Sequence, residues 1–191
     1  MKIILDAFGG DNAPAEALKG RSMAVKELGV TVLAVGDIEK MQECCKAENI
    51  DTDGIEFKQA DGVFDMHREP MDIVKKAKDT SLYVAFKALS DGEGDALVSA
   101  GSTGAILMGA TFITKRIRGC KRPALGFVLP GESKSGFLLM DCGANSEVKP
   151  EMLNQFATIG SIYMSKVAGV ANPRVALLNN GAEDTKGTPV H

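Results

Sequence analysis

The chain has no Trp, only two His and four Cys, and aromatics make up 5% of its 191 residues. Cys44, Cys45, Cys120 and Cys142 form no Cys-x-x-Cys pair, which with so few His argues against a zinc site. Free thiols in a reducing cytoplasm are the simpler reading. No apolar run approaches the length of a membrane span. The formal net charge is −3, so charge makes no global case for nucleic-acid binding. The opening Met1-Lys2-Ile3-Ile4-Leu5-Asp6 meets an acid too early for a signal peptide and predicts a first strand. At this length one full core is expected rather than two small domains, so residues 1–191 read as a single α/β domain.

Glycine, by contrast, is abundant at 21 residues. Several glycines fall in four polar turns, each just after a short apolar run: Asp6 to Pro14, Ser99 to Ala105, Asp141 to Asn145, and Asn179 to Gly187. In an open parallel sheet the strand carboxyl ends gather along one edge, and ligands bind in the crevice there. Glycine lets a ligand approach the backbone, and helix amino termini attract anions. The four turns together predict a site for a phosphate-bearing ligand.

Hydrophobic patterning predicts strands at Lys2 to Ala7, Val30 to Val35, Ile55 to Gln59, Asp95 to Ser99, Ala124 to Leu129, Phe137 to Met140 and Arg174 to Leu178. Helices are expected from Pro14 to Gly29 on the stripe Ala15, Leu18, Ser22, Val25 and Leu28, and from Asp37 to about Lys46. Further helices are expected over Met71 to Lys78, Ser81 to Leu89, Ser102 to Ile113, and from Pro150 to about Ala168. The Ser102 helix is rich in small residues, suiting close packing on the sheet. Strand alternates with helix almost throughout, which predicts an α/β fold with a mostly parallel sheet covered on both faces. The pattern ends on a strand followed by a polar loop, so the chain reads as the amino-terminal part of something longer. Such a piece alone is expected to be marginal in solution and inactive.

Among the motifs, the first turn is not Gly-x-Gly-x-x-Gly, and Asp37 suits an N-cap as well as a ribose contact. Gly131 to Gly136 has Walker-like spacing, but Phe137 stands where Lys is required, which rules out a P-loop. Gly9 and Gly10 sit beside two carboxylates, Asp6 and Asp11, as a ligand contact or as a tight capped turn. The second turn is the stronger phosphate cradle. It offers hydroxyls at Ser99, Ser102 and Thr103 and backbone donors at Gly101 and Gly104, against the plainer reading of an N-cap. Asp141 and Asn145 flank Gly143 as a ligand contact or an Asx turn. Lys186 is the one cation inside the four turns, suited to a surface ion pair, to a phosphate dianion or to polarising a carbonyl. His67 sits among Asp65, Arg68 and Glu69 and reads as a loop histidine before a general base. Lys115, Arg116, Arg118, Lys121 and Arg122 make the one dense basic segment, either a solvated helix end or a dock for an acidic protein.

In this order the motifs Asp6 to Pro14, Ser99 to Ala105, Arg122-Pro123-Ala124-Leu125, Asp141 to Asn145 and Leu177 to Gly187 resemble the PlsX family of phosphate acyltransferases. Phe8, Ser102 and Asn180 depart from that pattern, standing where Met, Asn and an apolar residue are usual. The resemblance implies transfer of a long-chain acyl group from acyl carrier protein to inorganic phosphate, with acyl phosphate feeding phospholipid synthesis. It also implies a fold similar to isocitrate and isopropylmalate dehydrogenases and phosphotransacetylase, a homodimer, and a cytoplasmic protein loosely associated with the membrane. No cofactor or metal is implied. Phosphate is itself the nucleophile in such a reaction, so no Ser-His-Asp constellation is required. Two other readings stay open: a truncated phosphate- or nucleotide-binding module without catalysis, and a nicotinamide-dependent dehydrogenase of related fold.

Overall fold

The structure, a computed structural model, describes residues 1–181, 183, 186 and 187. The chain divides into two compact units, Met1–Arg116 and Ile117–His191.

The first unit is built on β1 (Lys2–Asp6), β2 (Thr31–Gly36), β3 (Ile55–Gln59) and β4 (Ala96–Val98). They form a four-stranded sheet in the order β3-β2-β1-β4. Every pairing is parallel, with Ile4 opposite both Leu33 and Leu97. Such strands are buried on both faces, so they read as continuous apolar runs. Side chains alternate between the faces. Ile4, Leu33 and Val35 pack with Ala85 and Ala88 of α4 (Ser81–Ser90). On the other face Leu5 and Val32 meet Ala17 and Ala24 of α1 (Ala15–Leu28), while Ala34 meets Leu18 and Met41 of α2 (Ile38–Ala47). Ile4, Leu18 and Met41 are fully buried. Each such side chain stabilises the fold by about 1.5–3 kcal/mol.

The helix ends follow local chemistry. Asp37 caps α2 by accepting from Lys40 N at 3.1 Å, and its carboxylate also pairs with Lys40 Nζ at 2.8 Å. Thr80 caps α4 by accepting from Tyr83 N at 3.4 Å. Gly29, at φ 63°, closes α1 by donating to the Val25 carbonyl.

Four expectations need correction in this unit. The Met71 to Lys78 helix contracts to α3 (Asp72–Lys75). The reason is a parallel bridge between Gly62 and Thr80, in which Gly62 N donates to the Asp79 carbonyl and Ser81 N to the Gly62 carbonyl. The Ser102 to Ile113 helix is α5 (Thr103–Gly109) and then a π-helical turn, Ala110–Lys115. Its small residues serve a different contact from the one expected. A Cβ on Gly109 would lie 2.3 Å from the Phe86 ring, so the close approach is to α4. On α1, Leu28 is 72% exposed, while Arg21, outside the apolar stripe, is 4% exposed.

The second unit holds β5 (Gly126–Leu129), β6 (Phe137–Met140) and α6 (Pro150–Lys166). The first two form a separate antiparallel pair, so the parallel sheet comprises four strands. A short hairpin can join only antiparallel neighbours, because a parallel pair needs a crossover. Its turn depends on Gly136: φ is +62°, and a Cβ there would lie 2.2 Å from the Leu129 carbonyl oxygen. Gly131 to Gly136 is therefore hairpin turn. Pro150 takes the first turn of α6, where its missing N–H costs nothing, and the helix buries Phe156 and Met164. The strand expected over Arg174 to Leu178 does not form. These residues belong to neither described sheet, and Val175, Leu177 and Leu178 are 59%, 51% and 74% exposed. No described helix is long and apolar enough to cross a membrane.

Candidate functional site

The first two polar turns meet. Strands β1 and β4 are adjacent and parallel with Leu5 opposite Val98, so the next residues, Asp6 and Ser99, come side by side at the carboxyl ends. Ser99 Oγ donates to Asp6 Oδ2 at 2.7 Å and accepts from Gly101 N at 3.0 Å. Gly9 lies over this pair. A Cβ on Gly9 would sit 2.7 Å from Asp6 Oδ2, 2.7 Å from Ser99 Oγ and 2.8 Å from Gly101 N. Gly10, at φ +96°, packs on Ala100. The turns thus close on each other through glycine backbone, and a side chain at Gly9 would part them.

Asp6 is 2% exposed. Burial pushes its carboxyl above the ordinary value of 3.8, against the opposing pull of the Ser81 and Ser99 hydroxyls and the Phe8 backbone. The Ser81 hydroxyl is near enough to favour the charged form, yet it is not placed to bond Oδ1, which is buried without a hydrogen-bond partner. A buried carboxylate oxygen with no donor is costly and accounts for the upward shift. Ser81 was not legible as a neighbour of Asp6. It reads as the first residue of a helix, and only the packing of α4 on β1 brings the two together.

Beyond this pair, Ser102 is 7% exposed and caps α5, accepting from Ala105 N at 3.4 Å. Gly104 faces Pro70, whose Cγ would lie 2.7 Å from an added Cβ. Thr103 and Asp11 are exposed. Asp37 is an N-cap, as described above. His67 is exposed, and its backbone N–H donates to Asp65 Oδ1 at 2.7 Å.

In the second unit Asp141 holds its own turn together. Oδ1 accepts from Leu125 N at 2.8 Å and Ala144 N at 3.1 Å, while Oδ2 accepts from Asn145 N at 2.8 Å and Asn145 Nδ2 at 2.9 Å. Asn145 Nδ2 also donates to the Pro123 carbonyl at 2.9 Å. Burial raises the Asp141 pKa, but these hydrogen bonds outweigh it and the net shift is downward. Lys186 is exposed, and its backbone N–H donates to the Glu183 carbonyl at 2.9 Å. Gly187 N donates to Asn180 Oδ1 at 3.1 Å. Ala182, Asp184 and Thr185 of the fourth turn lie outside the described residues.

Only Lys115 of the basic segment lies at a helix end. Helical structure stops at Lys115, which has φ 73°, and Arg116 to Arg122 is irregular. Gln155 of α6 pins the loop by donating to the Gly119 carbonyl at 2.9 Å and accepting from Lys121 N and Arg122 N at 3.1 and 3.3 Å.

The family described as fatty acid synthesis protein matches residues 1–191. A phosphate acyltransferase from Fusobacterium nucleatum is 45% identical over 188 residues, 98% of this chain and 57% of its own length. One from Dictyoglomus thermophilum is 42% identical over 187 residues, 98% of this chain and 56% of its own. The chain therefore spans little more than half the length of these curated relatives. The fold is similar to that of a phosphotransacetylase from Streptococcus pyogenes (TM-score 0.69, 17% identity, 99% of this chain and 60% of that one). It is also similar to EutD phosphotransacetylase from Staphylococcus aureus (TM-score 0.65, 21% identity, 88% of this chain and 54% of that one).

Proposed function

The chain belongs to the fatty acid synthesis protein family, and on that premise we propose that it takes part in transferring a fatty acyl group from acyl carrier protein to inorganic phosphate. A phosphate oxygen attacks the thioester carbonyl. The new C–O bond forms as the C–S bond breaks, and the phosphate proton passes to the departing thiolate. Acyl phosphate is the product, for use in phospholipid synthesis. The observation that carries the reading is the meeting of Asp6, Ser99, Gly9 and Gly101 at the carboxyl ends of two adjacent parallel strands. Such an edge is where ligands of α/β sheets bind.

The roles follow from the chemistry. Gly9, Gly10, Gly101 and Gly104 keep side chains away from the phosphate, and the hydroxyls of Ser99, Ser102 and Thr103 serve as its donors. A buried carboxyl with a raised pKa shares a proton with phosphate more readily than an exposed one, which suits Asp6 to a place beside an anion. Asp11 stands in the same turn as a further polar contact. Asp141 and Asn145 shape the third turn through their mutual bonds. Lys186 neutralises the phosphate or polarises the acyl carbonyl. The basic residues Lys115, Arg116, Arg118, Lys121 and Arg122 dock the acidic carrier. The finer likeness to isocitrate and isopropylmalate dehydrogenases, the homodimer, and the cytoplasmic, membrane-peripheral location belong to the same proposal.

The test, made in the full-length protein, measures acyl phosphate formed from acyl carrier protein thioester and phosphate, with Lys186→Ala as the variant. Turnover should fall by about a hundredfold or more, the scale of losing one oxyanion-stabilising group, while circular dichroism is unchanged. Near-normal turnover would refute the role of Lys186. In the same assay Arg116→Glu with Arg118→Glu should raise KM for the carrier and leave KM for phosphate in place, because complementary charge acts on encounter.

A further inference from the structure

The protons of the Asp6–Ser99 pair are all accounted for before any ligand arrives. A serine hydroxyl carries one proton and two lone pairs. The Ser99 proton goes to Asp6 Oδ2 at 2.7 Å, and one lone pair takes Gly101 N at 3.0 Å. What Ser99 still offers a ligand is its second lone pair, an acceptor. Ser99 is half-buried, and Gly9, which lies over it, brings no side chain to cover the oxygen.

Asp6 is short of a donor as well. Its Oδ1 is buried without a hydrogen-bond partner. The side chain lies on the face of β1 that α4 covers, two residues beyond Ile4. Only the Ser81 hydroxyl of α4, the Ser99 hydroxyl and the Phe8 backbone offset its burial. The charged side chains around it take no part: Asp11 in its own turn, Asp37 after β2, Asp79 and Lys87 about α4, and Lys2 and Asp95 at the opposite strand ends. An anion reaching this pair therefore finds an acceptor backed by a carboxylate, a repulsive arrangement unless one more proton is present. A protonated Asp6 supplies it by freeing Ser99 to donate, and the raised pKa of Asp6 eases that uptake. A ligand that carries its own hydrogen supplies it too, because its P–OH donates to Ser99 Oγ while Asp6 stays ionised. Hydrogen phosphate has such a group and sulfate, of nearly the same size and shape, has none. We propose that Asp6 and Ser99 sense the proton on the oxyanion, so that the turns accept hydrogen phosphate and discriminate against sulfate. This selection rests on the reading that the turns hold phosphate, and adds the protonation state they take.

The full-length protein is titrated by calorimetry with sodium phosphate and with sodium sulfate, in two buffers of different ionisation enthalpy, over the pH range in which it is folded. Sulfate does not titrate there, so any proton taken up as it binds belongs to the protein. Above the folded-state pKa of Asp6 one proton should enter with each sulfate, and sulfate affinity should fall by nearly tenfold per pH unit. Phosphate should hold an advantage of about ten- to a hundredfold, the scale of one hydrogen bond to a charged group. Asp6→Asn cannot ionise, so its sulfate affinity should not vary with pH and the phosphate advantage should vanish. Should Asp6→Asn not fold, Ser99→Ala removes the acceptor and should remove the advantage likewise. Equal affinity for the two anions, sulfate binding without proton uptake, or wild-type discrimination in a folded variant each overturns the proposal. Discrimination that survives Gly9→Ala arises elsewhere and overturns it too. Acyl phosphate formation is assayed in parallel. Turnover with no discrimination between the anions overturns the proton selection and leaves the transfer reading standing. Proton-dependent discrimination without acyl phosphate formation does the reverse.

Discussion

At the scale of single residues the candidate site depends on one missing Cβ and one buried carboxyl. Gly9→Ala places a methyl against Asp6 Oδ2, Ser99 Oγ and Gly101 N. None of these is the free end of a flexible chain, so the two turns must part. The change should cost about 1–3 kcal/mol of stability, the usual scale of overpacking, and abolish phosphate protection against thermal unfolding. Unaltered protection by phosphate in a folded Gly9→Ala protein would show that the turns bind nothing. Asp6 carries a pH signature. Its folded-state pKa is raised, so the folded chain holds that proton more tightly than the unfolded chain does. Its favourable contribution is complete below the ordinary value of 3.8 and is lost as pH rises through the folded-state pKa. Above that pKa an ionised, half-satisfied Asp6 weighs against the fold. Asp6→Asn should raise Tm above the folded-state pKa of Asp6 by roughly 2–8 °C, for about 1–2 kcal/mol of relief, and flatten the decline of Tm as pH rises above 3.8. Turnover should fall at the same time. A Tm profile parallel to the wild type would contradict the buried-acid account. Asp141 has the opposite sign: its pKa is lowered, so its contribution is present above 3.8 and is lost as pH falls further.

At the scale of elements, Arg21 explains how α1 holds the chain that enters β3. Its guanidinium donates from Nη1 to the Asp51 carbonyl at 2.8 Å and from Nη2 to the Asp53 carbonyl at 2.6 Å. Burial depresses the pKa, and the nearby Asp51 opposes that. Two carbonyls at fixed spacing match the planar fork of Arg and not a single ammonium. Arg21→Lys should therefore lower stability by about 1–3 kcal/mol, read as a lower urea midpoint at unchanged m-value. Phosphate affinity should not change, since the clamp is not among the turns assigned to phosphate. A midpoint equal to the wild type would mean that the loop is held by its backbone alone.

At the scale of the whole molecule the two units differ in how much apolar surface they cover. In the first, β1 and β2 are central and buried on both faces by three clusters. In the second, Phe127, Val128, Leu129 and Phe137 of the hairpin are between 37% and 53% exposed. A two-stranded hairpin is marginal alone, and local opening follows where few apolar contacts are made. Amide hydrogen exchange should therefore be slowest in β1 and β2 and faster in β5 and β6 by about two orders of magnitude or more, since every ~1.4 kcal/mol of local stability is tenfold. Equal protection in the two units would mean that the hairpin is covered in solution.

Much of this was settled by sequence alone, because it depends on neighbours along the chain. The apolar runs of β1 and β2, the caps Asp37 and Thr80, the glycine that ends α1 and the proline that opens α6 all act within a few residues, where backbone geometry and capping chemistry set the minimum. The same holds for the Asp141–Asn145 turn, whose donors come mostly from its own residues, and for the motif order that marks the family. The tertiary structure decided the rest through long-range pairing. The strand order β3-β2-β1-β4 brings Asp6 to Ser99 across 93 positions, and no local signal carries that register. Packing of α4 puts Ser81 beside Asp6, and a bridge from Gly62 ends α3 early. Arg21 is buried where two carbonyls of a distant loop accept from its guanidinium, and Arg174 to Leu178, apolar enough for a strand, lies outside both described sheets. A short segment's hydrogen bonds and buried area are fixed only when its neighbour is chosen, and that choice lies outside the segment.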